Sequence, residues 1–133
     1  MADIEIEFTD NSEIIAKKIK AAIHRALVRI GMQAERFAKE KCPVDTGRLR
    51  NSITNKVKDD AAYVGTNVEY APYIELGTGK YYPGGRPTPW VYKDDKGNWH
   101  MTYGQRARPF LKPAAANHAR TYRNIVEDEM KNG

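Results

Sequence analysis

Few residues in this sequence have the type and spacing that catalysis requires. The triplet Asp45-Thr46-Gly47, within "CPVDTGRLRNSI" (residues 42–53), has the composition of the aspartic-protease motif. A protease of that class pairs two carboxylates, and nothing nearby in the sequence supplies the second. Pro43 ends a preceding helix, and Asp45 and Thr46 have cap and turn chemistry. The stretch therefore indicates a rigid corner instead of an active site.

The other reactive residues form no set either. The run "GTGK" (residues 77–80) lacks the glycine spacing and the Ser or Thr of a phosphate-binding loop. His24 has no second ligand at metal-binding spacing, and neither His100 nor His118 has a nucleophile that the sequence can place beside it. A single cysteine, Cys42, excludes an internal disulfide and a Cys-rich zinc site. We therefore predict a protein that is not an enzyme and uses no cofactor and no metal.

Charge is distributed along the chain in blocks. The formal net charge is +5; residues 1–16 carry five acids and no base, and residues 17–58 carry twelve bases against three acids. Residues 59–79 carry four acids and no base, and residues 80–133 carry ten bases against five acids. Basic blocks of this kind meet nucleic acid or an acidic protein surface, or are merely solvated. No run is long and apolar enough to span a membrane, and the acidic start is unlike a secretory signal, so we expect a cytosolic chain.

The length of 133 residues fits a single domain, residues 1–133. "DIEIEF" (residues 3–8) alternates like a half-buried strand, which would pair within this chain or with a neighbour. Apolar residues at spacings of three and four then predict one long amphipathic helix over about residues 12–40. Its apolar stripe comprises Ile15, Ile19, Ala22, Ile23, Ala26, Ile30, Ala34 and Phe37. Off that stripe lie Lys17, Arg25, Arg36 and Lys39, which predict a basic exposed face.

Smaller elements follow the corner. "NSITNKVK" and "AAYVGTNV" (residues 51–58 and 61–68) predict a hairpin around Asp59-Asp60. "YAPYIELGTG" (residues 70–79) predicts a short helix with a proline in its first turn and glycines at its end. A last periodic stretch predicts a C-terminal helix over about residues 112–131. The predicted fold class is α+β, with the long N-terminal helix and the C-terminal helix packed on a small antiparallel sheet.

Residues 79–105 predict an inserted arm, a projecting aromatic β-hairpin. "WVYKDDKGNWHMTY" alternates aromatic and polar residues around an Asp-Asp-Lys-Gly turn. Six of the ten Tyr and Trp residues of the chain lie between positions 81 and 103, more than such a small excursion can bury by itself. These aromatic side chains therefore pack either on the rest of this chain or on a second subunit.

Aromatic and arginine side chains at the arm and the corner are the candidate residues of an interface with a second subunit or another partner. They are Arg48, Arg50, Tyr81, Tyr82, Trp90, Trp99, Arg106 and Arg108. The corner arginines either face a partner or an acidic neighbour, or are solvated. The arm composition also suits stacking on bases and contacts to phosphates. Because Tyr, Trp and Arg supply most of the anchoring energy in protein interfaces, we favour a protein interface over nucleic acid.

Three stretches are recognisable when taken together and in order. "CPVDTGRLRNSI" follows the long helix, "YVGTNVEYAPYIELGTG" comes next, and "RARPFLKPA" precedes the terminal helix. In this arrangement the sequence resembles the tail-component family of long-tailed phages and prophages, whose namesake is the gene-ten product of phage Hong Kong 97. The resemblance covers about residues 12–131. It is interrupted at residues 79–105, where the family has a short loop and this chain has the arm.

The resemblance implies a non-enzymatic structural protein of the virion at the head-tail junction, acting in tail completion or head-tail joining. It implies a homo-oligomeric ring, for which a hexamer is one expectation, and contacts with other phage neck and tail proteins. It places the protein in the virion, and in the host cytoplasm during assembly, with DNA passing at most transiently through a lumen and with no membrane. The alternative from the residues alone is a cytosolic DNA-binding protein that uses the basic helix face and the arm.

Overall fold

A computed structural model describes residues 11–132. Its helices are α1 (Ser12–Lys41), α2 (Arg48–Ser52), α3 (Ala71–Leu76), α4 (Leu111–Ala116) and α5 (Ala119–Asn132). Its strands are β1 (Thr54–Lys58), β2 (Ala61–Gly65), β3 (Trp90–Lys93) and β4 (Trp99–Thr102). The strands form two antiparallel pairs, β1 with β2 and β3 with β4. The predicted α+β class is confirmed, and the strand predicted over residues 3–8 lies outside the described residues.

Helix α1 is the axis on which the other elements pack. It ends where Cys42 turns to an extended conformation, as the residue before Pro43 must. Its buried face is made of small residues, Ala22, Ala26, Gly31, Ala34 and Ala38. A Cβ at Gly31 would lie 2.6 Å from Oδ1 of Asn55 on β1. Small side chains therefore let the β1–β2 pair and helix α5 approach the α1 backbone closely.

The apolar stripe predicted for α1 is buried over only part of its length. Ile15, Ile19 and Ile23 are 54%, 41% and 40% exposed, which contradicts the expectation that the whole stripe faces the core. Helix α5 runs antiparallel to α1, and its carboxyl end pairs with Arg25 and Arg29. The first turns of α1 therefore extend beyond the end of α5, and their isoleucines have no helix to pack on among the described residues.

The core lies at the carboxyl end of α1. Buried side chains from residues 49–71 and from the segment around α4 meet Ala38 and Cys42 there; they are Leu49, Ile53, Val68, Ala71, Phe110 and Ala114. Leu49 points inward from α2, as the corner predicted, because Gly47 precedes it in the left-handed region at φ +85°. The first residues of the strand predicted over 51–58 instead end α2, and β1 begins at Thr54.

The predicted C-terminal helix is two helices, α4 and α5, separated at Asn117 and His118. The His118 ring stacks on Phe37 of α1 with ring centroids 3.5 Å apart. The Tyr122 hydroxyl donates a hydrogen bond to the carbonyl oxygen of Ala114. These contacts hold α4 and α5 to each other and to α1. The break between the two helices lets α5 run along α1 in a direction that a continuous helix from Leu111 would not take.

Candidate functional site

The arm leaves the fold through a root of two adjacent backbone segments. The Thr78 amide donates to the Gln105 carbonyl at 2.9 Å, and the Lys80 amide donates to the Tyr103 carbonyl at 2.9 Å. The Gln105 amide in turn donates to Thr78 Oγ1 at 2.7 Å. The two ends of the arm are therefore held side by side, as in a loop inserted between two neighbouring residues of a smaller fold.

Two glycines make this close approach possible. Gly79 has φ +59° and Gly104 has φ +116°, and L-residues other than glycine rarely adopt these values. A Cβ on Gly79 would overlap the Tyr103 carbonyl oxygen, and a Cβ on Gly104 would overlap the Thr78 carbonyl oxygen. The run "GTGK" is therefore the root of the arm, which agrees with the prediction that it is not a phosphate-binding loop.

A carboxylate joins the segment before the arm to the segment after it. Glu75 Oε2 accepts hydrogen bonds from the Phe110 and Leu111 amides at 2.8 and 3.0 Å, and its Oε1 accepts one from the Lys112 amide at 2.8 Å. These amides belong to the first turn of α4, where helix donors have no partner within the helix and favour an anion. Glu75 therefore caps α4 from α3 and holds "YIELGTG" against "RARPFLKPA".

The arm is a two-stranded ribbon with one apolar face directed outward. Trp90 pairs with Thr102, Val91 with Met101, Tyr92 with His100, and Lys93 with Trp99. Paired residues share a face, and successive pairs alternate between the two faces. Val91, Met101 and Trp99 therefore lie on one face, where they are 63%, 66% and 68% exposed. We call this set, with Lys93, the outward face of the arm; the Lys93 ammonium lies 5.9 Å from the Trp99 ring.

The opposite face and the tip give the arm a defined shape. Tyr92 stacks on His100, with ring centroids 5.3 Å apart. The Asp94 carboxylate accepts hydrogen bonds from the Lys96 and Asn98 amides and lies 2.7 Å from His100 Nε2. The hydrogen bond with His100, with those from the turn amides, lowers the pKa of the Asp94 carboxyl below its ordinary value. The tip is therefore an ordered turn, which presents the outward face in one orientation.

The predicted interface residues fall into two separate groups. Tyr81, Tyr82, Trp90 and Arg106 lie at or near the root of the arm, and Trp99 lies on its outward face. Tyr82 contacts Tyr73 of α3, with ring centroids 5.7 Å apart. Trp90 is half-buried against Gly79 and Arg86, so it belongs in part to the fold of the arm itself.

The second group surrounds the corner and consists of Arg48, Arg50 and Arg108, all exposed. Arg48 donates to the Glu69 carboxylate at 3.2 Å and lies over the Tyr70 ring. The Glu69 backbone amide and Arg48 together lower the pKa of the Glu69 carboxyl. Arg48 therefore has an acidic neighbour within its own chain, which is one of the alternatives that the sequence left open.

Most of the basic face predicted for α1 is paired inside the chain. Of its four predicted residues, Arg25 pairs with Glu129, Arg36 with Glu40, and Lys39 with Glu35. Arg29 adds pairs to Asp128 and Glu129. Hydrogen bonds from Arg25 and Arg29 lower the pKa of the Glu129 carboxyl. Carboxylates of α1 and α5 therefore neutralise much of the charge that a nucleic acid would need.

Within residues 11–132 the structure groups no set of three or more His, Cys, Asp or Glu side chains that could hold a metal ion. Cys42 is buried, and this burial raises the pKa of its thiol against the opposing effect of Arg50 and Arg108. A thiol in such a position is a poor nucleophile. In the same range, none of the helices has the length and apolar character that crossing a bilayer requires.

The sequence analysis did not predict three features of the structure. Glu75 was placed in the short helix without a role, because its partners lie 35 to 37 residues away. Val91 and Met101 were overlooked beside the aromatics, although their positions opposite one another follow from a hairpin register centred on the predicted turn. The exposed isoleucines of α1 could not be recognised, because the same spacing predicts a buried stripe.

Comparison with known proteins assigns part of the chain to a family. A family model described as "Bacteriophage HK97-gp10, putative tail-component" matches residues 6–77 of the chain. The match covers slightly more than half of the sequence and ends at the root of the arm. No curated protein and no solved structure matches the chain significantly.

Proposed function

The chain belongs to the HK97 gp10-like family of phage tail components, and we propose that it acts at the head-tail junction of the virion as a ring-forming subunit. In this role it completes the tail or joins it to the head, and it performs no chemistry. The family match confirms the resemblance drawn from the sequence. The third stretch of that resemblance, "RARPFLKPA", and the arm lie beyond the matched residues, so what they contribute is part of the proposal.

The observation that carries the proposal is the outward face of the arm. An isolated two-stranded hairpin is at best marginally stable in water, and this hairpin exposes three large apolar side chains together. An ordered ribbon that presents Val91, Met101 and Trp99 to solvent has the character of a contact surface for another protein. In a phage tail a structural subunit is surrounded by other subunits, and one of these neighbours would cover the exposed apolar face.

Oligomeric rings add a geometric requirement that the chain can meet. A closed ring of identical subunits uses head-to-tail contacts, so each subunit needs two different complementary patches. The arm and the exposed first turns of α1 are two such patches on one chain. Other neck and tail proteins would meet the remaining surface, and DNA would pass through the lumen without being held tightly.

Neither the family nor the structure supports the alternative of a cytosolic DNA-binding protein. Its basic helix face is largely paired with carboxylates. Lys80, Arg86 and Lys93 of the arm and Arg106 just after it lie over aromatic rings of the same chain. The rings and cations that would stack on bases and bind phosphates are therefore in contact with one another.

Genetic removal of the protein tests the junction role. We expect a stop codon early in its reading frame, in the phage or prophage that encodes it, to leave DNA-filled heads and tails unjoined in electron micrographs of the lysate. Supply of the intact protein from a plasmid should restore complete particles. Complete and infectious particles made without the protein would refute the proposed role.

A further inference from the structure

The exposed first turns of α1 border a groove. The groove has a volume of about 470 Å³, and its lining residues are Ala16, Ile19, Lys20, Ile23, His24 and Leu27 of α1 and Asp59 and Asp60 of the β1–β2 turn. Ile19 and Ile23 are among the large apolar side chains that remain exposed in the structure. We call this surface the α1 groove; it combines apolar side chains with two carboxylates, the Lys20 ammonium and the His24 imidazole.

The outward face of the arm has the matching properties. It is a ridge of Val91, Met101 and Trp99, and Lys93 shares its face. Lys96, also exposed, lies in the adjoining turn. The apolar ridge suits the apolar side chains of the groove, and Lys93 and Lys96 are complementary to its two carboxylates, although Lys20 in the groove and Asp95 in the turn carry the opposite charges. Charge complementarity determines which partner binds and in which orientation, more than it determines how tightly the partner binds.

The root of the arm and the α1 groove lie toward opposite ends of the long helix. The arm is attached between α3 and α4; Ala71 of α3, Phe110 just before α4 and Ala114 of α4 pack with Ala38 at the carboxyl end of α1. Ile19 is 19 residues before Ala38, and at 1.5 Å per helical residue this separates the two positions by about 28 Å along α1. Two complementary patches at opposite ends of a subunit produce head-to-tail contacts between copies.

We propose that the outward face of the arm of one copy docks in the α1 groove of the next copy. This inference rests on the proposed function, since it identifies the contact through which the ring would close. It assigns these two exposed apolar surfaces to a single heterologous interface. Trp99 is its central anchor, and Lys93 and Lys96 face the carboxylates of Asp59 and Asp60.

Site-specific photo-cross-linking in assembled particles tests the contact. A benzophenone amino acid replaces Trp99, particles are irradiated, and the cross-linked peptides are sequenced by mass spectrometry. The expected product joins position 99 of one copy to residues 16–27 of another. The matched control places the same group at Tyr92 on the opposite face of the ribbon, from which no cross-link to residues 16–27 is expected.

Other products overturn the inference while leaving the junction role standing. These are a cross-link from position 99 to a different tail protein, to DNA, to another surface of this chain, or to residues 1–10, and also the absence of any cross-link in particles that contain the protein. Absence of the protein from complete particles would instead refute the proposed function. The two failures are thus distinguishable in one preparation.

Mixing of defective variants provides a second test. The arm variant W99A/M101A and the groove variant I19Q/I23Q should each self-associate about 30-fold more weakly than the wild type, measured by sedimentation equilibrium at concentrations where the wild type associates. An equimolar mixture should form 1:1 heterodimers, because each variant retains the surface that the other lacks. The α1 variant V28Q/M32Q, which alters exposed residues outside the groove, should associate like the wild type. If the mixture stays as dissociated as the single variants, the head-to-tail pairing is wrong.

Discussion

Replacement of Glu75 by alanine should strongly destabilise the protein. The substitution removes one carboxylate that accepts hydrogen bonds from three backbone amides at 2.8 to 3.0 Å. Hydrogen bonds to a charged group contribute about 1.5–3 kcal/mol each. The Lys112 amide can regain water because its residue is exposed, whereas Phe110 is fully buried and its amide cannot easily do so.

We therefore expect Glu75→Ala to lower the free energy of unfolding by about 2–4 kcal/mol, which combines the lost helix cap with one poorly hydrated amide. In a chain of this length the melting temperature should fall by roughly 6–16 °C. Glu75→Gln keeps an accepting oxygen but loses the charge, so its loss should be about 1 kcal/mol. Thermal and urea unfolding followed by circular dichroism measure these changes.

Glu69→Ala is the matched control for this prediction. It removes the same charge from a nearby position, but the Glu69 side chain is 74% exposed and forms its ion pair with exposed Arg48. Exposed pairs of this kind contribute about 0–1 kcal/mol. If Glu75→Ala lowers the free energy of unfolding by no more than Glu69→Ala does, then Glu75 does not hold α3 to α4. The explanation of how "YIELGTG" is held against "RARPFLKPA" would then be wrong.

Three further predictions concern the arm and the α1–α5 pair. Gly104→Ala should cost about 2–3 kcal/mol by opening the root of the arm, whereas Gly84→Ala, also at positive φ but in open space, should cost about 1 kcal/mol in thermal unfolding. Trp99→Ala should weaken assembly without changing the melting temperature. Trp90→Ala should lower the melting temperature, because the Trp90 ring packs on the root. Equal effects of the two substitutions on the melting temperature would contradict the assignment of Trp99 to an interface and of Trp90 to the fold of the arm. The pKa of Glu129 lies below its ordinary value of 4.5, so its stabilising effect is complete above about pH 4.5 and is lost as the pH falls through the lower folded-state pKa. Glu129→Gln should therefore be less stable than the wild type at pH 7 and equally stable near pH 2 in denaturant titrations, and a difference that persists at low pH would refute the assignment.

Local patterns in the sequence were sufficient to predict the elements that form from neighbouring residues. Helix α1 follows from apolar spacing over thirty residues and from Pro43 at its end. The β3–β4 hairpin follows from alternation around an Asp-Asp-Lys-Gly turn. These predictions were confirmed because the chemistry that sets such elements lies within the element itself.

Features that depend on distant residues could not be predicted in this way. The burial of the α1 stripe depends on where α5 ends, and Ile19 has the same spacing signal as Ala26 although only Ala26 is buried. Helix α4 receives its cap from Glu75, 35 to 37 residues earlier in the chain. Arg25 and Arg29 are paired because α5 brings Glu129 beside them, which no local pattern in α1 indicates.

The central claim, a ring-forming structural subunit at the head-tail junction, is tested most directly by electron cryomicroscopy of purified virions or tails. We expect the fold of residues 11–132 to fit a closed ring at the junction, with the arm of each copy on its neighbour. Density for the chain elsewhere in the particle, or particles that contain no copy of it, would contradict the account.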